Sequence, residues 1–393
     1  MIEWRCLADV CEIKGRIGFR GYTREDQVEE GDGAISLSPG NIIDSVLYYD
    51  SCTYITWDKY EESPEIMVTE GDIVLCKTAS VGKVARVKQL PEKATINPQL
   101  VLIKNIKINP QYLFYVLDDT SFQSKIKGLA GVGSVPNVSQ AKLALIPIPI
   151  PSISEQQRIV GILDTFTASI ENLKEQIAQR RKQYEHYRDE LLDLEGKEGV
   201  EIKTLGEIGE FVRGNGIQKN DFVGEGYKCI HYGQIHARYG FSATETISKI
   251  DESLYKKCKK AKKGDVVLAT TSEDAEGVAK PFVWLGDDDA AVSGDAFIYH
   301  HNQNGKFMGH QFLTHKFMQF KVKYATGAKV VRISGENMAK YEVALPSIEE
   351  QSRIVSILDT FEASISNLEA QLKLREKQYE YYRNKLLTFE KAE

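Results

Sequence analysis

The chain carries few cysteines and pairs none of them in a motif. Six stand in 393 residues (Cys6, Cys11, Cys52, Cys76, Cys229, Cys258), with no Cys-x-x-Cys, so neither a zinc ribbon nor a disulfide scaffold is indicated. No apolar run approaches membrane-spanning length, and the start, MIEWRCLADV, lacks a signal peptide's basic and apolar regions. The expectation is a reducing cytoplasm and no membrane partner. A Walker lysine motif is missing, as are the Asn/Asp-Pro-Pro-Tyr/Phe motif and cofactor loop of a base-amino methyltransferase; the glycines of residues 128–134 follow a predicted helix, not a strand. The Glu-x-Lys pairs Glu12/Lys14 and Glu201/Lys203 lack the upstream carboxylate of a nuclease centre. His300 adjoins His301, and His231 and His236 are five apart, none with a ligand-spaced carboxylate or cysteine. They read as solvated loop histidines, and Asp287, Asp288 and Asp289 read as a surface turn. No catalytic residue, metal site or resident cofactor is expected. The net charge of −6 argues mildly against nucleic acid, but local patches decide such contacts.

What the chain does have is one stretch written twice. Residues 153–192 and 348–387 agree at 26 of 40 positions at a fixed offset of 195, the mark of an internal duplication. Apolar residues recur at steps of four and three: Ile159, Leu163, Phe166, Ile170, Leu173 and Ile177, answered by Ile354, Leu358, Phe361, Ile365, Leu368 and Leu372. That spacing is the a/d seam of a left-handed coiled coil. Each seam is interrupted once, by Arg180 and by Arg375, a polar break that can fix register. Ser154 with Gln157, and Ser347 with Glu350, read as capping boxes behind a proline. Roughly 38 helical residues make a rod of about 55 Å. A lone seam would be left wet, so each rod is the other's natural partner, and antiparallel packing keeps the two bulky domains from crowding one end.

The order is domain, helix, domain, helix: 1–150, 151–195, 201–346 and 347–390. The fold class is α+β, two mixed α/β domains joined by two long helices in an antiparallel coiled coil, with a pseudo-twofold internal repeat. "GDIVLCKTASVGKVARV" sets against "GDVVLATTSEDAEGVAKPFVW". Residues 110–129 read as one helix, and "LIPIPIPSI" as an extended segment whose prolines forbid helix and ladder alike. The helices also match off the seam, at Gln156, Arg158, Asp164, Thr165, Ser169, Asn172 and Gln176. Either one surface is presented twice to two copies of a partner, or solvated positions have drifted slowly.

Several segments have a composition suited to nucleic acid. Loops after the Gly-Asp strands offer Lys77, Thr78, Ser80 and Lys83 in one copy and Thr270, Thr271 and Ser272 in the other. Glycine turns before each helix hold Ser134 and Asn137, and Lys329, Arg332 and Ser334. "GYKCIHYGQIHARYG" brings His231, Tyr232, Gln234 and His236, types that hydrogen-bond base edges. Six lysines between Lys256 and Lys263 would supply sequence-blind phosphate affinity, or form a solvated face.

With these residues in view, the chain resembles the specificity subunit of type I restriction-modification systems. The resemblance covers the whole length and rests on the duplicated "LPSIEEQSRIVSILDTF" pattern, the "GDIVL…TASVGK" strand and loop, and the domain order. It implies a non-catalytic subunit whose domains are target-recognition domains, each reading half of a bipartite asymmetric DNA site. The paired helices would be the ruler between the halves. Two modification (adenine methyltransferase) subunits would dock on the helices, and two restriction (endonuclease) subunits would join. S-adenosylmethionine, ATP and Mg²⁺ would belong to those partners. In the second domain "TTSEDAEGVAKP" replaces the glycine-lysine loop, which questions any contact carried across at Lys83. A competing reading is a non-catalytic coiled-coil scaffold whose globular domains bind proteins.

Overall fold

A computed structural model describes residues 2–17, 21–131, 135–327 and 330–389. The chain divides into two compact units: Met1–Leu173 with Gln371–Glu393, and Lys174–Ala370. Each unit therefore holds one globular domain, the start of the helix that follows it and the end of the other helix.

In the first unit, Ala94–Ile96, Ala34–Leu37, Thr53–Ile55 and Gln27–Val28 form one four-stranded sheet, and Glu12–Lys14, Leu100–Lys104, Ile73–Cys76 and Val84–Arg86 form another. The strand Ile73–Cys76 explains the uninterrupted apolar run of the Gly-Asp motif. Ile73 and Leu75 pack in a core with Tyr112, Leu113, Ile159 and Leu163, while Val74 and Cys76 pack with Ile35, Leu37 and Ile96. A strand buried on both faces has no polar side to alternate with. The second unit repeats this: in the strand Val266–Ala269, Val266 and Leu268 join Phe307, Phe317, Ile354 and Leu358, and Val267 and Ala269 join Phe282, Trp284 and Ile230.

The Gly-Asp pair before each strand is a turn. Gly71 and Gly264 sit at φ +94° and +95°, where a side chain would be strained. The Asp72 carboxylate accepts the Thr69 N–H at 2.8 Å, and Asp265 accepts the Lys262 N–H at 2.6 Å. This fixed turn accounts for the Gly-Asp motif the two domains share.

Four expectations need correction. The first long helix begins at Ile153, and its cap is Ser152, whose Oγ accepts the Glu155 N–H at 3.3 Å, not Ser154. Ser347 does the same for Glu350 in the second helix, Ile348–Leu387; Ser152 and Ser347 are 195 apart, so the repeat itself points to the right serine. Residues 110–129 form two helices, Pro110–Asp118 and Thr120–Leu129, because the Asp119 carboxylate accepts the Ser121 N–H and caps the second. The proline segment does form a ladder, Pro147–Ile150 against Glu3–Cys6. With proline at alternate positions the missing donors all fall on one edge, which leaves Ile148 and Ile150 free to pair. The histidines are not solvated loop residues. His300 and His301 end the strand Ala296–His301, and Asp265 takes His300 Nδ1 at 2.8 Å, raising its pKa. Burial lowers that of His301 to about 4.

Within each unit the helix segments run antiparallel, and the seam is read twice. Phe166 stacks on Tyr382 with ring centroids 5.3 Å apart, and Phe361 stacks on Tyr187 at 5.4 Å. The seam arginines lie over the same rings: Arg375 is 5.6 Å from the Phe166 centroid, and Arg180 is 6.0 Å from Phe361. They cover the seam by cation–π contact rather than interrupting it. Ile159, Leu163, Ile354 and Leu358 are fully buried where the helices meet their domains. Ile170, Leu173, Ile365 and Leu368 are half-buried farther along.

Part of the off-seam identity has an internal cause. Buried Gln156 accepts the Asn109 N–H at 3.0 Å and donates to Pro151 O; buried Gln351 accepts the Asn304 N–H at 3.1 Å and donates to Pro346 O. Asp164 accepts the Tyr115 hydroxyl at 2.6 Å, and Asp359 takes the Lys306 amine at 2.7 Å. These matched residues bind each helix to its own domain.

Candidate nucleic-acid interface

In the first unit the segment after Ile73–Cys76 folds back onto the approach to the helix. The Thr78 hydroxyl donates to Asn137 Oδ1 at 2.7 Å, within a bridge between the two residues. Ala79 N–H donates to Pro136 O, and Val138 N–H to Lys77 O. Lys77, Thr78 and Asn137 are thus brought together, with Ser80 exposed beside them. Lys83 serves the fold: its amine donates to Pro39 O at 3.2 Å and Ile42 O at 3.1 Å. Ser134 and Lys329 lie outside the described residues.

The second unit carries the same frame. Thr271–Ser272 pairs antiparallel with Val331–Arg332, Thr271 facing Arg332, as Thr78 faces Asn137. The Gly82 N–H donates to Cys76 O and the Ala279 N–H to Ala269 O. That register sets Lys280 in the place of Lys83. Its amine donates to His236 O at 3.0 Å, and His236 Nε2 lies 3.0 Å from Thr271 O. The structure therefore brings His236, Thr271, Ser272, Lys280 and Arg332 together. Lys280 is not among the residues singled out from the sequence: "SVGK" and "GVAK" share Val-x-Lys, but four extra residues in the second loop break the fixed offset and hide the match.

Other candidates are occupied inside the fold. Thr270 is buried and its hydroxyl donates to Asp295 O. His231 caps the helix Tyr232–Ala237, accepting the Gly233 N–H at Nδ1, and burial lowers its pKa. Gln234 donates to Ser248 Oγ at 2.7 Å. Half-buried Tyr232 packs its ring against His231, with centroids 4.8 Å apart. The lysine run is partly neutralised: Lys256 pairs with Glu252, and Lys263 with Asp287. Asp288 also meets Lys228 at 3.2 Å, so the acidic turn supplies counter-charge. Among the described residues no group of three His, Cys, Asp or Glu could hold a metal ion, and no helix is long and apolar enough to cross a membrane.

Two α+β domains carrying the same strand–loop–bridge frame, each bound to a long helix, define a tandem-repeat α+β fold. The family model for the type I restriction modification DNA specificity domain matches residues 1–180 and again 197–375, and the chain belongs to that family. It is 30% identical over 299 residues to a putative type I restriction enzyme specificity subunit of Haemophilus influenzae, covering 72% of this chain and 73% of that one. It is 33% identical over 276 residues to the EcoR124I/EcoR124II specificity subunit of Escherichia coli, covering 66% of each. In fold it resembles the type I restriction-modification S subunit of M. genitalium, with TM-score 0.54 at 16% identity, over 100% of this chain and 97% of that one. A solved type I R-M system chain gives TM-score 0.61 at 15% identity, over 98% and 97%. The chain is a type I specificity subunit with two DNA-specificity domains, and specificity subunits are non-catalytic.

Proposed function

We propose that this chain reads a bipartite, asymmetric DNA site, one half by the domain of residues 1–150 and the other by that of 201–346. The observation that carries the reading is the duplicated frame with unlike contents: Thr78 opposite Asn137 in one domain, Thr271 opposite Arg332 in the other. Equal scaffolds bearing different donors suit two half-sites of different sequence, since base-edge contacts specify while phosphate contacts position. Each 40-residue helix spans about 60 Å, against about 34 Å for a turn of DNA, so the pair would set the unread gap between half-sites. Two methyltransferase subunits would dock on the helices and two restriction subunits would join, bringing S-adenosylmethionine, ATP and Mg²⁺ with them.

The test is a domain exchange. Replacing residues 201–346 by the second domain of a relative is expected to change one half of the methylated target and leave the other half and the gap unaltered. A change in both halves, or none, would defeat the reading. A mobility shift with mixed DNA that vanishes at high salt separates DNA binding from a protein-binding scaffold.

A further inference from the structure

Lys321 lies in the helix His315–Tyr324 and is only 3% exposed. Lysine is almost never buried to that extent without partners. The position 195 residues earlier, in the matching helix Thr120–Leu129, is Ile126, fully buried. Packing alone is therefore satisfied by an apolar side chain, and the amine needs another reason.

The difference between the domains that goes with it is the loop. From the residue after the Gly-Asp strand to the matched lysine, the first domain uses residues 77–83 and the second 270–280, four more. Lys321 Nζ donates to Glu276 O at 2.5 Å and to Val278 O at 2.9 Å, both in that longer loop. Burial lowers its pKa to about 8 despite Asp274 and Glu276 nearby. The loop is held at its flanks too: Lys280 donates to His236 O, and the Gly277 N–H donates to Asp274 Oδ1 at 2.6 Å. A Cβ at Gly277 would stand 2.3 Å from Ser272 Oγ, so the turn is closed tightly. Exposed Glu273, Asp274 and Glu276 ride on it.

We propose that Lys321 is a positioning residue for the second domain's reading loop: its amine props the Glu276 and Val278 carbonyls from beneath and so fixes where residues 272–277 meet the bases. This rests on the DNA-reading function proposed above.

The test offers the full chain, wild type and K321M, a randomised duplex library and sequences the bound fraction. Wild type is expected to enrich two half-sites. K321M, close in length and apolar, should keep its melting temperature and the first domain's half-site, while discrimination at the second half-site falls about tenfold, the worth of one base contact. K321M selecting both half-sites as wild type does would overturn the proposal and leave the DNA-reading function standing. Wild type selecting no sequence would overturn that function and the proposal with it. Should K321M fail to fold, K321M is placed in a chain whose loop is shortened by four residues to the first domain's length. There it should fold and add no loss of discrimination beyond the shortening; continued unfolding or a further loss would overturn the proposal.

Discussion

Arg383, near the end of the second long helix, donates from Nη1 to Asp118 Oδ2 at 3.0 Å, and Ser45 Oγ donates to Oδ1 of the same carboxylate at 2.6 Å. Both ionic side chains are less than one-fifth exposed, so the first domain grips the end of a helix that begins 195 residues after its own. Burial raises the Asp118 pKa, Ser45 and Arg383 opposing it. R383M should cost about 2–3 kcal/mol in urea unfolding, because it strands a buried carboxylate. Adding D118N should recover most of that. A double variant no better than the single would mean that the pair is not coupled.

The repeat of the seam supplies its own control. Phe166 meets Tyr382 and Arg375, and Phe361 meets Tyr187 and Arg180, in matching geometry. F166A and F361A should each cost about 2–3 kcal/mol, below the value for a fully buried phenylalanine because both are half-buried. Unequal costs, differing by more than about 1 kcal/mol, would show that the two seams are not energetically equivalent.

Lys83 separates a structural amine from a phosphate contact. Its Nζ bonds to Pro39 O and Ile42 O, so K83M should reduce stability by about 1 kcal/mol and leave the salt dependence of DNA binding unchanged. Were the amine on a phosphate, the slope of log K against log salt would fall by about one. Measuring binding at four salt concentrations decides between them.

The periodic and duplicated features are legible in the sequence. A 40-residue seam declares its helix, and a strand buried on both faces declares itself by Ile73, Val74 and Leu75 in a row. What could not be read were polar residues acting across long separations. Gln156 looks like any surface glutamine until Asn109, 47 residues earlier, places its N–H on it. Lys280 was hidden by the four-residue extension, with Ala279 at φ +58° standing where Gly82 sits at +99°. Lys321 gave no signal in isolation; only its alignment with Ile126 marks it.

The second unit should be the acid-sensitive one, and His310 contributes most to that, with His301 acting in the same direction. The His310 ring is fully buried, stacked on Phe241 at 4.2 Å, with Nδ1 3.2 Å from the Tyr184 hydroxyl. That hydroxyl donates to Glu362 Oε1 at 3.1 Å, so His310 Nδ1 is the donor to it and Nε2 keeps a bare lone pair. Protonation would add an Nε2–H that no acceptor meets among the described residues. Burial, with Arg188 and Lys306 adding to it, lowers the pKa to about 3 from 6.5. The folded state therefore binds fewer protons than the unfolded one between those values. Stability is fully present above pH 6.5 and declines as pH falls, by about 1.4 kcal/mol per unit from this group. The position 195 residues earlier is Tyr115, which cannot gain a proton there. In H310F the stacking surface and the Tyr184–Glu362 bond remain, while the titrating group is gone. Urea midpoints from pH 6.5 to 4.5 should thus fall less steeply in H310F than in wild type, and parallel profiles would rule out His310 as the source.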